Sequence, residues 1–222
     1  MLRRWLLALC VWGAALPAWA SAQSLEDYDY ENLAPQGIGL NVGYLWPSKV
    51  EPTAFYSVRL DLGYLGPGVR VQPSVSYWSS TLRTGELDRL AGRLNRLPPL
   101  QESGETVSGD ELGPIDWSDL VLELEAHYVW IAPAGLMPYL GVGAGLHLLN
   151  GSGPAIKDTF VEDLLDTVTA GVTALGGVEL QVTGTFRIHA EARFTLLSDI
   201  NYPGLTFGGS LSFPQAGNGT AR

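Results

Sequence analysis

The sequence predicts an all-β protein, an eight-stranded antiparallel up-and-down transmembrane β-barrel. Stretches of about ten residues alternate apolar with small or polar side chains, which is the two-residue period of β-strands. Short and long connections between these stretches alternate, as they do in barrels that cross a membrane. The 222 residues include 27 Gly and 14 Pro and are 46% hydrophobic, a composition that excludes disorder and disfavours a helical bundle.

The N-terminal region has the pattern of a cleavable export signal. Arg3 and Arg4 precede an apolar run over residues 5–16, and small residues then form cleavage sites ending at Ala20 or Ala22. We therefore predict a signal peptide over residues 1–22, with the only cysteine, Cys10, inside it. Removing it leaves 11 basic against 23 acidic residues, a net charge of −12 that argues against nucleic-acid binding.

The remaining chain divides into an acidic leader over 23–35, a β-barrel domain over 36–213 and a tail over 214–222. Eight alternating runs fill the barrel domain; they begin near Ile38, Tyr56, Val69, Leu120, Leu140, Ala170, Phe186 and Leu205. Residues 65–68, 131–137 and 183–185 are the short connections, and 47–53, 80–116, 150–167 and 198–203 are the others. An even strand number places both termini on one side of the membrane.

Alternation alone does not decide which face points outward, and a soluble lipocalin-like barrel would bury its apolar face. The export signal, the small polar face and aromatic residues near strand ends favour the membrane barrel. The aromatic residues assigned to two interfacial girdles are Tyr44, Trp46, Phe55, Tyr56, Tyr64, Tyr77, Trp78, Trp117, Tyr128, Trp130, Tyr139 and Phe186. Pro73 lies within the third run, where it removes a ladder donor, so we expect a local bulge or kink.

Three stretches resemble strands of small bacterial outer-membrane β-barrel proteins, such as the OmpA transmembrane domain, OmpX and opacity-type barrels. The run 138–146 (PYLGVGAGL) looks like their fifth strand, and 176–179 (GGVE) and 190–194 (AEARF) look like their sixth and seventh. Leu205, Phe207, Leu211 and Phe213 look like the terminal strand that the barrel-assembly machinery reads, although nine residues follow Phe213. The resemblance implies a bacterial outer-membrane location, with outer-membrane lipid as a partner.

Catalysis and metal binding find little support in the sequence, and no cofactor is predicted. Outer-membrane lipid A deacylases place a Ser two residues after a His, but Val129, Leu149 and Glu191 stand at those positions here. Glu123 and Glu125 share a face and could act as an acid/base pair, although partnership with arginines is the favoured interpretation. Three histidines on three separate strands make a metal site improbable. The protein is accordingly not expected to be an enzyme.

The inward face instead predicts a polar network that fills the lumen. Four arginines are matched by five carboxylates and three histidines: Arg59, Asp61, Arg70, Glu123, Glu125, His127, His147, Glu179, Arg187, His189, Glu191 and Arg193. Buried charges are tolerated when they are paired, so near balance favours a plugged interior without conductance. A narrow channel or a lateral-gate transporter for small apolar molecules is the alternative. Register predicts that Glu179 faces His189, with Arg187 diagonal to Glu179 and Asp61 diagonal to Arg70.

The loop over 80–116 predicts a helix, because Leu87, Leu90, Leu94 and Leu97 recur at helical spacing before Pro98. The arginines on its neighbouring face, Arg89, Arg93 and Arg96, could contact lipopolysaccharide phosphates. The favoured alternative is a cap on the barrel mouth whose arginines pair with Glu102, Glu105, Asp110 and Glu111. The overall prediction is a structural or surface-interaction role, with no specific partner identified.

Overall fold

A computed structural model describes residues 27–98 and 106–214, together with Glu102 and Gly104. The predicted signal peptide, the first residues of the leader and residues 215–222 of the tail lie outside the described residues. The strands are β1 (Gly37–Leu45), β2 (Thr53–Asp61, extended by Tyr64–Gly66), β3 (Val69–Thr81), β4 (Asp116–Val129), β5 (Leu136–Ser152), β6 (Thr167–Gln181), β7 (Phe186–Leu197) and β8 (Asn201–Ser212).

The eight strands form one closed antiparallel barrel. Each strand pairs with its sequence neighbour, and β1 pairs with β8 over nine residues to complete the circle. The predicted fold is confirmed, with longer strands than expected: β5 extends over 17 residues and β6 over 15. Closure matters because it leaves no strand edge with unpaired backbone groups, which a bilayer core could not hydrate.

Long and short connections lie at opposite ends of the barrel. Residues 46–52, 82–115, 153–166 and 198–200 form what we call the loop end, and 67–68, 130–135 and 182–185 form the turn end. In the described parts of the long connections, three helices have defined bounds: α1 (Thr84–Leu94), α2 (Gly109–Leu112) and α3 (Phe160–Leu165). Single 3-10 turns lie at Tyr30–Asn32 and Pro133–Gly135. No helix of the described chain combines the length and the apolar character needed to cross a membrane.

The outer wall of the barrel is apolar because alternate side chains of every strand point away from the lumen. Leu40, Val42, Leu124, Leu140 and Val142 are each more than half exposed, although they lie in the middle of well-paired strands. Such a continuous exposed apolar surface is unstable in water and is the surface that lipid acyl chains cover. The barrel is therefore built to span a bilayer.

Pro73 is accommodated by a bulge in the neighbouring strand. The β3–β4 register passes through Pro73 and Leu124 without interruption, so β3 itself is regular. On the other side, the regular β2–β3 pairing stops at Arg59 and Ser74, just before Pro73. The next pair beyond Arg59 and Ser74 is Tyr64 with Arg70. Tyr64 is five residues from Arg59 along β2, whereas Arg70 is four residues from Ser74 along β3, so β2 carries one extra residue.

The bulge satisfies its own backbone groups. Val71 donates to the Gly63 carbonyl at 3.0 Å and accepts from the Leu62 amide at 3.0 Å, and the Asp61 carboxylate accepts from the Gly63 amide at 2.9 Å. Gly63 has a φ of 80°, a left-handed conformation that a residue with a Cβ adopts at a cost. Pro73, which has no backbone N–H to donate, therefore lies where the regular pairing of β3 with β2 is interrupted.

Candidate functional site

The polar residues predicted to face the lumen all point inward in the structure. They occupy the odd-numbered positions of β2, β4, β5, β6 and β7, together with Arg70 of β3, and eleven of the twelve are buried. The exception is Arg187, whose side chain is 22% exposed near the turn end. All but His189 form three groups, which we name the central, turn-end and loop-end groups.

The central group is organised around Arg59, whose guanidinium joins carboxylates from two other strands. Its Nη2 donates to both carboxylate oxygens of Glu191 at 3.1 Å, and its Nε lies 3.2 Å from Glu125 Oε2. The same Glu125 oxygen lies 3.0 Å from His127 Nε2. Because β2, β4 and β7 are separated by other strands, these contacts cross the lumen rather than follow its wall.

Arg193 is the second cation of the central group. Its Nη2 donates to Glu123 Oε2 and lies 3.5 Å from Glu125 Oε1, and its Nη1 lies 3.9 Å from Glu191 Oε1. Its guanidinium also lies 5.1 Å from the centre of the Phe55 ring. Two cations and three carboxylates therefore share one buried volume, in which each charge has a partner of opposite sign.

Tyr139 completes the central group and was missed in the sequence. Its hydroxyl donates to Glu191 Oε2 at 2.9 Å, and its ring stacks on His127 with centroids 4.9 Å apart. The sequence did contain a signal for this position, because alternate residues of a strand point to the same face and Tyr139 alternates with the inward-facing Gly141 and Gly143 on β5. Its position near a strand end instead suggested a membrane girdle.

The turn-end group contains Arg70, Glu179, Asp61 and Arg187. Arg70 donates both terminal nitrogens to the two oxygens of Glu179, and its Nη1 lies 3.9 Å from Asp61. Arg187 lies 3.5 Å from Asp61 and 3.7 Å from Glu179. The contacts of Arg70 with Asp61 and of Arg187 with Glu179 follow the diagonal registers expected from the turns.

Two smaller contacts complete the lumen. Glu179 is paired in register with His189, as expected, but the His189 imidazole contacts Asn41, with 2.6 Å between Nε2 and Oδ1. In the loop-end group, His147 Nδ1 lies 2.8 Å from Asp119 Oδ2, and the Tyr202 hydroxyl donates to the same oxygen at 3.3 Å. Asp119, Tyr202 and Asn41 were absent from the predicted network, although each lies on the inward face.

Two apolar clusters pack against the polar residues of the lumen. At the loop end, side chains from the strands pack with α1 and the long connections, among them Phe55, Trp78, Trp117, Leu90, Leu94, Ile115, Ile156 and Ile200. At the turn end, Val129, Tyr139 and Leu175 pack together, with Met137 against them. The charged network is therefore bordered by apolar side chains toward the loop end, whereas toward the turn end it reaches the partly exposed Arg187.

The girdle prediction is wrong for four aromatic residues. Phe55, Trp78, Trp117 and Tyr139 are between 0% and 6% exposed and point into the barrel, because they lie on the inward register of their strands. Seven other residues assigned to the girdles are exposed and do form two bands. Tyr44, Trp46, Tyr56 and Tyr77 lie toward the loop end, and Tyr64, Tyr128 and Trp130 lie toward the turn end.

The arginines of the long connection lie on the outer face of the cap. The leucine face of α1 packs into the loop-end cluster, and Arg89, Arg93 and Arg96 are exposed. Arg89 forms an ion pair with Glu86, one turn earlier, because residues three apart lie side by side on a helix. Of the expected partners, Glu105 lies outside the described residues. Among the described ones, Arg89 has no ion pair with a residue after the helix, and Glu111 instead closes a capping box with Ser108.

One cluster in the central group has the donor types of a metal site. Ligand atoms of Glu125, His127 and Glu191 lie within 4.8 Å of one another. Arg59, however, contacts both carboxylates, so a cation would have to displace a guanidinium that already neutralises them. The arrangement is therefore better described as an ion-pair network than as a metal site.

Comparison with known proteins identifies the architecture. No protein family and no curated protein matches this chain in sequence. Among solved structures, Neisserial surface protein A matches with a TM-score of 0.52 and 14% identity, covering 80% of this chain and 96% of that chain. The N-terminal β-barrel domain of Pseudomonas aeruginosa OprF has a TM-score of 0.48 and 12% identity, covering 81% and 98%. The chain has the fold of small eight-stranded outer-membrane β-barrels.

Proposed function

We propose that the protein is an outer-membrane barrel with a structural or surface-interaction role, and that its lumen is plugged rather than conducting. The observation that carries this proposal is the central group, in which Arg59 and Arg193 reach carboxylates on other strands across the lumen. The apolar cluster at the loop end supports it, because an ion that crosses this cluster would lose its hydrating water. Nothing in this arrangement requires an enzymatic role.

The proposed location is the bacterial outer membrane, reached through a cleavable signal peptide. The apolar outer wall, the two exposed aromatic bands and the fold support this location. Outer-membrane lipid would then surround the barrel, and the barrel-assembly machinery would insert it. At the loop end, exposed Arg89, Arg93 and Arg96 offer contacts to phosphate groups such as those of lipopolysaccharide.

Conductance across planar bilayers tests the plugged lumen. We expect the purified protein to give no stable current steps, because the paired side chains cross the lumen and the apolar cluster at the loop end covers its mouth. Insertion should first be verified by heat-modifiable migration on a gel, and a general porin in the same bilayers provides the positive control. Stable stepwise conductance of the inserted protein would contradict the plug and favour the narrow-channel alternative.

A further inference from the structure

A pocket of about 270 Å³ opens between α1 and the connections at the loop end. Its apolar lining is contributed by four segments of the chain and consists of Leu90, Leu94, Leu97, Trp117, Leu149 and Leu165. Its polar lining consists of Lys49, Arg93, Thr167 and Asp199. Trp117 and Leu149 belong to the inward register of β4 and β5, so this apolar surface lies at the barrel mouth and not on the lipid-covered wall.

The charges of this pocket favour an anion over a cation. Lys49 comes from the first connection and Arg93 from α1, so two separate segments each place a cation at the same opening. The one carboxylate, Asp199, is 61% exposed and lies 4.0 Å from Lys49 Nζ, at the outer limit of an ion pair. No ion pair of Arg93 is found within the parts of the chain that the structure describes.

The apolar lining has a defined shape. The Trp117 indole donates to the Leu165 carbonyl at 3.4 Å, which joins β4 to the end of α3, and Lys49 Nζ lies 5.9 Å from the indole centre. The lysine is therefore held beside the aromatic surface, where it can contact a head group while the chain of a ligand contacts the leucines.

We propose that this pocket binds a small anionic amphiphile with one aliphatic chain and a carboxylate head group. The head group contacts Lys49 and Arg93, and the chain packs against the leucines and Trp117. A volume of about 270 Å³ lies just below the range typical of drug-sized ligands, so a lipid with several acyl chains does not fit. This site is separate from the plugged lumen, and its test does not depend on conductance.

Octanoate and octan-1-ol, which have the same chain length, are suitable probes. The full-length barrel in phosphatidylcholine nanodiscs is titrated with each probe, and the Trp117 indole N–H resonance, assigned with Trp117→Phe, reports binding. Empty nanodiscs give the correction for partitioning into lipid. We expect octanoate to bind about tenfold more tightly than octan-1-ol, because charge-assisted contacts add to the same apolar burial.

Charge variants then locate the head group. Lys49→Gln combined with Arg93→Gln should remove the preference for octanoate and leave octan-1-ol binding unchanged, whereas Asp199→Asn should strengthen octanoate binding. Arg89→Gln is the matched control, because Arg89 is exposed on the same helix but does not line the pocket. Equal affinity for the two probes, no response of Trp117, or an unchanged preference in the double variant would each overturn the proposal.

Discussion

Glu179→Gln combined with Glu191→Gln is expected to lower the free energy of unfolding by at least about 3–5 kcal/mol. Glu179 accepts both terminal nitrogens of Arg70, and Glu191 accepts Arg59 Nη2 on both of its oxygens. Both guanidiniums are buried, with 1% and 4% of the side chain exposed. Glutamine keeps the size of each side chain but removes the charge, so two buried cations lose their closest counter-ions. Urea unfolding in lipid vesicles measures the change.

An ion pair of the same residue types at the surface provides the control. Glu86 pairs with Arg89, whose side chain is 74% exposed, so water solvates the charge that Glu86→Gln leaves behind. That variant should change the free energy of unfolding by less than about 1 kcal/mol. Similar small losses for the surface variant and the lumen double variant would mean that the lumen charges are solvated, which contradicts the plug.

Gly208→Ala is expected to destabilise the barrel by about 1–3 kcal/mol, because the lumen wall has no room for a methyl group there. A Cβ at Gly208 would lie 2.5 Å from the Leu40 carbonyl oxygen, a backbone atom that cannot move alone, and 2.2 Å from Asn41 Oδ1. It would also lie 2.7 Å from His189 Cε1, so it would disturb the contact between His189 and Asn41.

The neighbouring strand offers a matched glycine with space around it. A Cβ at Gly39 would lie 3.5 Å from Ser210 Cβ and no closer than that to any other residue, which is ordinary van der Waals contact. Gly39→Ala should therefore be tolerated in the same vesicle unfolding assay. Equal stability of the two alanine variants would show that the β1–β8 seam is less tightly packed than described.

The sequence was sufficient for the fold because each strand had to satisfy one simple pattern. Alternation with period two identified the eight strands, and the lengths of the connections separated the loop end from the turn end. The sequence also predicted contacts between two strands that are joined by one short turn. Asp61 lies close to Arg70 across residues 62–69, and Glu179 pairs in register with His189.

The contacts across the lumen were beyond sequence reasoning. Arg70 on β3 reaches Glu179 on β6, and Arg193 on β7 reaches Glu123 on β4, and in each case two strands intervene. Which charges meet depends on the tilt and stagger of the closed barrel, which no pairwise register determines. The pocket at the loop end was missed for a similar reason, because Lys49, Arg93, Trp117 and Asp199 come from four separate segments.

For several aromatic residues, the alternation of the strand and the position along the strand predicted different locations. Trp78, Trp117 and Tyr139 lie near strand ends, where membrane girdles are found, but all three lie on the inward register. The pleat of the backbone determines whether a side chain points into the lumen or toward the lipid. The position along the strand does not, because residues near a strand end can point either way. In barrels of this size, strand alternation should therefore decide whether an aromatic residue near a strand end belongs to a membrane girdle.

The most direct test of the plugged lumen is the accessibility of a single cysteine inside it. Cys10 is the only cysteine of the chain, so a Cys10→Ala background has no competing thiol. Ser76 is 4% exposed on the inward face of β3, and Ser198 is exposed at the loop end. With a small water-soluble thiol reagent applied to both sides of the bilayer, we predict that Ser198→Cys reacts and Ser76→Cys does not until the barrel is unfolded. Comparable reaction rates in the folded barrel would contradict the closed lumen.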